Sequence, residues 1–154
     1  AQLAAYLKDP EKSALPLTYI SFPSAKDPDF QRRFPGKSTI EIITVAPWEW
    51  YNEWKDARWK KRGGDYEAQK EAMSQRLLAE LYRQVPSTQG HVDYHELSTP
   101  LSTQHFSNYP YGELYGLAHT PARFKQRALG VRTPLKGLWM AGQDAVSCGV
   151  AGSG

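Results

Sequence analysis

Apolar and polar residues alternate in two short β-like stretches near the start of the chain. Leu17-Thr18-Tyr19-Ile20-Ser21-Phe22, between Pro16 and Pro23, is aromatic and β-branched and reads as a strand. Thr39 to Ala46 has the same character and follows the Pro35-Gly36 turn signal, so it reads as a second strand pairing with the first. The connection, Ser24 to Ser38, is too long and polar for a simple hairpin and reads as a functional loop or a surface flap. The pattern then becomes helical. Pro47 suits a first helical turn and Glu49 its positive end, which predicts a helix to about Arg62, where Gly63-Gly64 stops it. Asp65 is placed to cap a second helix, whose stripe of Tyr66, Met73, Leu77, Leu81 and Val85 is widened by Leu78 and Tyr82 and ended by Pro86. From His91 to about Phe106 the pattern is β-like and irregular. A Gly- and Tyr-rich loop, Tyr109 to Gly116, comes next, and Gly137-Leu138-Trp139-Met140-Ala141-Gly142 reads as a buried strand bounded by glycines. These elements define an α+β chain.

At 154 residues there is material for one ordinary domain, so a single globular unit is the expectation. Hydrophobic residues make up 40% and the net charge is only +3, which excludes a disordered chain. No run approaches the roughly 18 apolar residues of a spanning helix, and Ala1 to Leu7 lacks the flank and length of a signal peptide. A cytoplasmic or peripheral membrane location is expected. The lone Cys148 excludes an intrachain disulfide and a cysteine zinc cage. The start without Met and the glycine-rich end at Gly149 to Gly154 lead us to expect a portion of a larger protein.

Four words stand in order along the chain: Phe22-Pro23-Ser24-Ala25-Lys26-Asp27-Pro28, Phe34-Pro35-Gly36-Lys37-Ser38-Thr39, Glu49-Trp50-Tyr51-Asn52-Glu53-Trp54 and Gly137-Leu138-Trp139-Met140-Ala141-Gly142-Gln143-Asp144. Together they resemble the C-terminal part of the retinol-saturase branch of FAD-dependent oxidoreductases and, more loosely, the phytoene desaturase and carotenoid isomerase group. The resemblance runs from about residue 17 to the end. It implies a flavoenzyme that adds or removes hydrogen across carbon–carbon double bonds of an apolar polyene, with NAD(P)H as candidate electron donor. It further implies that residues 17–106 belong to a substrate domain with an antiparallel sheet and two helices. Residues 107–136 would connect, and 137–154 would supply the last strand of a Rossmann-type FAD domain. The fingerprint G-x-G-x-x-G of a dinucleotide site does not occur in the chain. The chain alone is therefore expected to be inactive, to need an N-terminal FAD domain as partner, and to self-associate through apolar surface.

By the same resemblance, Gly142, Gln143 and Asp144 would approach the FAD ribityl and pyrophosphate groups. The backbone N–H groups of Gly149, Val150 and Ala151 would lie near the flavin ring, where a helix N-terminus favours negative charge. A bland reading of the same residues is a loop with a capping aspartate. Tyr115 and His119 have the chemistry of a proton donor to the second alkene carbon; their bland reading is packing beside a turn glycine.

Trp48, Trp50, Tyr51, Trp54 and Trp59, interleaved with Lys55, Arg58, Lys60, Lys61 and Arg62, allow three readings: a core helix with a basic outer face, a monotopic membrane contact, or a nucleic-acid surface. Glu49, Glu53 and Asp56 dilute the charge, which makes the nucleic-acid reading the weakest, and no nucleic-acid partner is expected. His91 and His95 have metal-binding spacing on a helix, but on extended chain they lie about 13 Å apart, so no metal is expected. Lys26 and Asp27 read as a surface ion pair or the rim of a site, and Cys148 as a small packing thiol. The alternative to an enzyme is a noncatalytic module that binds an apolar ligand or a protein.

Overall fold

The computed structural model describes residues 2–148. In place of the single unit expected, the chain forms two compact units, Ala1–Thr99 and Pro100–Gly154.

The first unit opens with helix α1 (Gln2–Lys8), which buries Tyr6 completely. Strands β1 (Tyr19–Ser21) and β2 (Glu41–Ile43) pair antiparallel with Ile20 opposite Ile42, as their β-branched composition predicts, though each is shorter than the apolar run containing it. Between them the polar connection folds into two one-turn helices, α2 (Pro23–Lys26) and α3 (Phe30–Arg33). Charge holds this segment: Arg32 Nε donates to Asp29 at 2.6 Å, and Arg33 pairs with Asp27 and Asp29. Lys26 does not join Asp27 in the ion pair expected of them; its ammonium donates to Ser21 Oγ at 3.1 Å.

The helix expected over 47–62 is replaced by a 3₁₀ helix, Trp48–Trp54, followed by turns and by Lys60 at φ +60°. Three residues per turn line up Trp48, Tyr51 and Trp54, and packing rewards that register. Tyr51 is buried with its ring centroid 6.4 Å from that of Tyr66, Trp54 lies 5.5 Å from Tyr66, and Trp50 lies 5.2 Å from Tyr6. Burial among these rings pushes the Tyr51 phenol up to about 12. Of the cations interleaved with the aromatics, Arg62 caps the same cluster, its guanidinium 5.3 Å from the Trp59 ring and 5.1 Å from that of Tyr66. Of the three readings of this segment, the core is the one these contacts express.

Helix α4 (Gly64–Gln84) is the longest element, and the stripe that predicts it is the face it buries: Tyr66, Ser74, Leu77, Leu78 and Leu81. Met73, Tyr82 and Val85 flank that face, half-buried. Gly63 rather than Asp65 is the capping residue, so Asp65 falls inside the first turn, where its carboxylate still meets the positive helix end. The phenol of Tyr66 shares a 2.8 Å hydrogen bond with Thr99 Oγ1.

Residues 91–99 form no regular element, and the β-like expectation gives way altogether from Pro100 onward, where the second unit begins with helix α5 (Pro100–Ser107). Pro100 at the first helical position is the signal that outweighs the mixed pattern. Helix α6 (Pro121–Phe124) is capped by the Thr120 hydroxyl, which accepts from the Arg123 N–H at 3.3 Å. The strand expected over 137–142 is not formed among the described residues. Only a bridge between Arg132 and Trp139 appears there, with the Met140 N–H donating to the Val131 carbonyl at 2.8 Å. A buried strand needs partners on its edges and cover on its faces. Among the described residues Trp139 has only the Arg132 backbone and guanidinium beside it, and Leu138 and Trp139 are 53% and 59% exposed.

Candidate functional site

In the second unit, two loops carry half of the residues singled out by the resemblance. The first, Tyr109 to Leu117, turns back through a bond from the Gly112 N–H to the Tyr109 carbonyl at 3.1 Å. The second, Gly142 to Ala145, closes through a bond from the Ala145 N–H to the Gly142 carbonyl at 3.0 Å.

Asp144 joins them. Its Oδ1 accepts the Leu117 N–H at 2.8 Å and its Oδ2 accepts the Tyr109 hydroxyl at 3.0 Å. The carboxylate occupies the space a side chain at residue 116 would fill: a Cβ there would lie 2.1 Å from Oδ1, and φ is +64°, so only glycine fits. The Gln143 amide donates to the Tyr109 hydroxyl at 3.0 Å, making that hydroxyl a relay between adjacent residues of the second loop.

Arg123, from α6, completes the frame. It is buried, and its guanidinium donates to the Leu117 carbonyl at 2.5 Å and the Gln143 carbonyl at 2.7 Å. Leu117 is thereby held at its N–H by Asp144 and at its carbonyl by Arg123, one contact on each of its two flanking peptide groups. The Leu117 N–H foremost holds the Asp144 carboxyl below its ordinary range; partial burial opposes this, and the Tyr109 hydroxyl and the charges of Arg123 and His119 add to the lowering. Asp144 is a fixed anion at neutral pH, and Arg123 beside it supplies the compensating charge.

Tyr115 stands outside this frame, 65% exposed. His119 is at its edge: its Nε2 accepts the Cys148 N–H at 2.9 Å, and the Arg123 Nη1 lies 3.3 Å from the same nitrogen. Gly142, Gln143 and Asp144 are brought together, whereas Gly149, Val150 and Ala151 lie outside the described residues. Tyr109, Arg123 and the Leu117 N–H are the participants that sequence reasoning missed. Tyr109-Pro110-Tyr111-Gly112 carries a turn signal that could have found the first, while nothing local marks Arg123 for burial.

A flavin dinucleotide presents hydroxyls and phosphates, and the described residues suit the first. A carboxylate offers about four acceptor positions. Protein donors use one on each oxygen of Asp144, which leaves acceptors for hydroxyl groups. Its negative charge disfavours a phosphate alongside, and Arg123 is committed to two carbonyls. Gly142, at φ +105° with no atom within 4 Å of where a Cβ would stand, leaves a backbone edge open. In the first unit, the His95 ring pairs with Glu71 at 3.4 Å, and among the described residues no group of three or more metal-ligating side chains is found.

No family model and no solved structure matches the chain. Comparison with curated proteins does find relatives, and they are oxidoreductases. By name they are all-trans-retinol 13,14-reductases, 32–37% identical over 90–98% of this chain, which corresponds to their C-terminal part. The Danio rerio protein is 37% identical over 141 residues, covering 90% of this chain and 23% of its own length. The Macaca fascicularis protein is 34% identical, covering 93% of this chain and 24% of its own length. A second Danio rerio protein, named an inactive all-trans-retinol 13,14-reductase, is 30% identical over 90% of this chain and 23% of its own length. The chain thus spans about a quarter of the length of the curated relatives it matches, and it is homologous to the C-terminal quarter of the retinol reductases.

Proposed function

We propose that this chain is the C-terminal portion of an FAD-dependent oxidoreductase that reduces a carbon–carbon double bond of a retinoid or a related apolar polyene. The observation that carries the reading is similarity to retinol reductases over nearly the whole chain. FAD, when bound, supplies hydride chemistry to one alkene carbon, with NAD(P)H as the class of electron donor. The chain's own residues bind and orient. Asp144 would accept ribityl hydroxyls on its free acceptor positions, Gly142 and Gln143 would line the approach, and the N–H groups of Gly149, Val150 and Ala151 would be the donors toward the ring. Tyr115 or His119 delivers the proton to the second alkene carbon. The remainder of the FAD domain comes from the rest of the longer protein.

The second reading, a noncatalytic module for an apolar ligand or protein, is favoured by one observation: the relative named inactive matches over a similar share of this chain. Flavin titration separates the two. The 154-residue chain is expected not to bind FAD stoichiometrically, whereas the longer protein containing it binds one FAD, loses it on Asp144→Ala, and adds two hydrogens to a retinoid substrate as read by mass spectrometry. A longer protein that binds no flavin refutes the reductase reading.

A further inference from the structure

Between α6 and the turn after Asp144, the second unit holds a pocket of about 190 Å³ that shares Arg123 with the Asp144 frame. Phe124, Leu129 and Val146 give it apolar walls, and Arg123, Gln126 and Arg127 supply polar groups. At roughly 30 Å³ for each water-sized group, it takes a molecule of about six non-hydrogen atoms.

The charge of this pocket is one-sided. No carboxylate lines it, and Arg123 is balanced by Asp144, whereas the exposed Arg127 guanidinium has no hydrogen bond or ion pair among the described residues. Lys125, also exposed, adds to the excess. Arg123 carries an unmet demand of its own: Nη1 and Nη2 serve the Leu117 and Gln143 carbonyls, but Nε is buried with no acceptor. A buried N–H left unpaired is costly, and native structures seldom keep one without a reason. We propose that this pocket binds a small monocarboxylate with a short apolar chain, of the size of butyrate. Its carboxylate lies on the Arg127 fork and turns toward Arg123 Nε, with the chain against Phe124, Leu129 and Val146. A carboxylate matches a guanidinium fork in plane and in charge. Inorganic phosphate fits less well, because it needs donors on every side and three of the walls are apolar. Nε is covered as the chain stands, so seating an oxygen on it takes a side-chain movement, and Phe124 and Arg127, both exposed, are placed to make it. Because Arg123 also holds both loops, the bound acid stiffens the Asp144 frame.

The test is titration of the 154-residue chain with butyrate at constant ionic strength, followed by proton–nitrogen correlation NMR, with neutral butyramide and inorganic phosphate as comparison probes. Saturable binding of one butyrate per chain is expected, with a shift of the Arg123 Nε–H signal and with both comparison probes weaker by about tenfold or more. Arg127→Gln, which removes the free fork, and Val146→Trp, which fills the pocket, should each weaken butyrate by about tenfold. Lys136→Gln, the same change of charge at an exposed position of the second unit, should leave the affinity unchanged. Spectral dispersion establishes which variants are folded, and Arg127 and Val146 are both exposed, so the loss of one variant leaves the other to decide. Absence of saturable butyrate binding, equal affinity for butyramide or phosphate, or unchanged affinity in the folded pocket variants overturns the proposal. A loss in Lys136→Gln as large as that in Arg127→Gln also overturns it, since the attraction would then belong to the net charge and not to the pocket. The measurement needs neither flavin nor polyene, so its failure leaves the reductase reading standing, and failure of that reading leaves the pocket standing.

Discussion

Gly116→Ala tests whether the Asp144 frame is set by sterics at one backbone position. The added Cβ would stand 2.1 Å from Asp144 Oδ1 and 2.8 Å from Cγ, so the carboxylate must leave its niche. Alanine in the left-handed region costs roughly 1–2 kcal/mol. Displacing Asp144 forfeits the bonds from Leu117 and Tyr109; bonds to a charged group contribute roughly 1.5–3 kcal/mol each, and water recovers about half for a partly exposed carboxylate. The total is about 2.5–5 kcal/mol. Gly137→Ala is the control: φ is +83° and no atom lies within 4 Å of the new Cβ, so only the backbone cost of about 1–2 kcal/mol applies. The assay is thermal denaturation together with hydrogen exchange at the Leu117 amide, which should quicken by at least about tenfold more in Gly116→Ala than in Gly137→Ala. Asp144→Ala in the Gly116→Ala background removes the clash, so the double variant should cost less than the sum of the two single changes. Equal costs for the two glycine variants, or strict additivity in the cycle, would refute the steric argument.

Two further outcomes follow from the packing and the charges. Leu81→Ala should destabilise the first unit by about 2–5 kcal/mol in urea denaturation, because Leu81 is 2% exposed on the buried face of α4; a cost under about 1 kcal/mol would mean that this face is not the core. Asp144 ionises more readily folded than unfolded, so its contribution is complete above the unfolded carboxylate value of about 3.9 and is lost as pH falls through the lower folded value. The acid limb of the second unit's stability curve should flatten in Asp144→Asn, and an unchanged limb would place its cause elsewhere.

The site was only half legible beforehand. Gly142, Gln143 and Asp144 were marked by the family resemblance, and Gln143 and Asp144 meet at the Tyr109 hydroxyl. What they gather with was not marked. Arg123 looks like any surface arginine until α6 and both loops are folded, since its burial depends on two carbonyls supplied from residues 117 and 143. Tyr115, the more conspicuous aromatic in its loop, is 65% exposed beside the frame that its neighbour Gly116 makes possible.

Local pattern alone determined the β1 and β2 pairing and the length and buried face of α4, because β-branched alternation and a 3.6-residue stripe each favour one backbone period and one burying face. Tertiary structure decided the rest. The 47–62 segment abandoned its helical propensity for a 3₁₀ register because Tyr6 and Tyr66, distant in sequence, offered its rings a place to pack. The 137–142 run, as apolar as a sheet interior, formed a single bridge because a strand is stabilised by its neighbours, and neighbours are not a property of the segment itself.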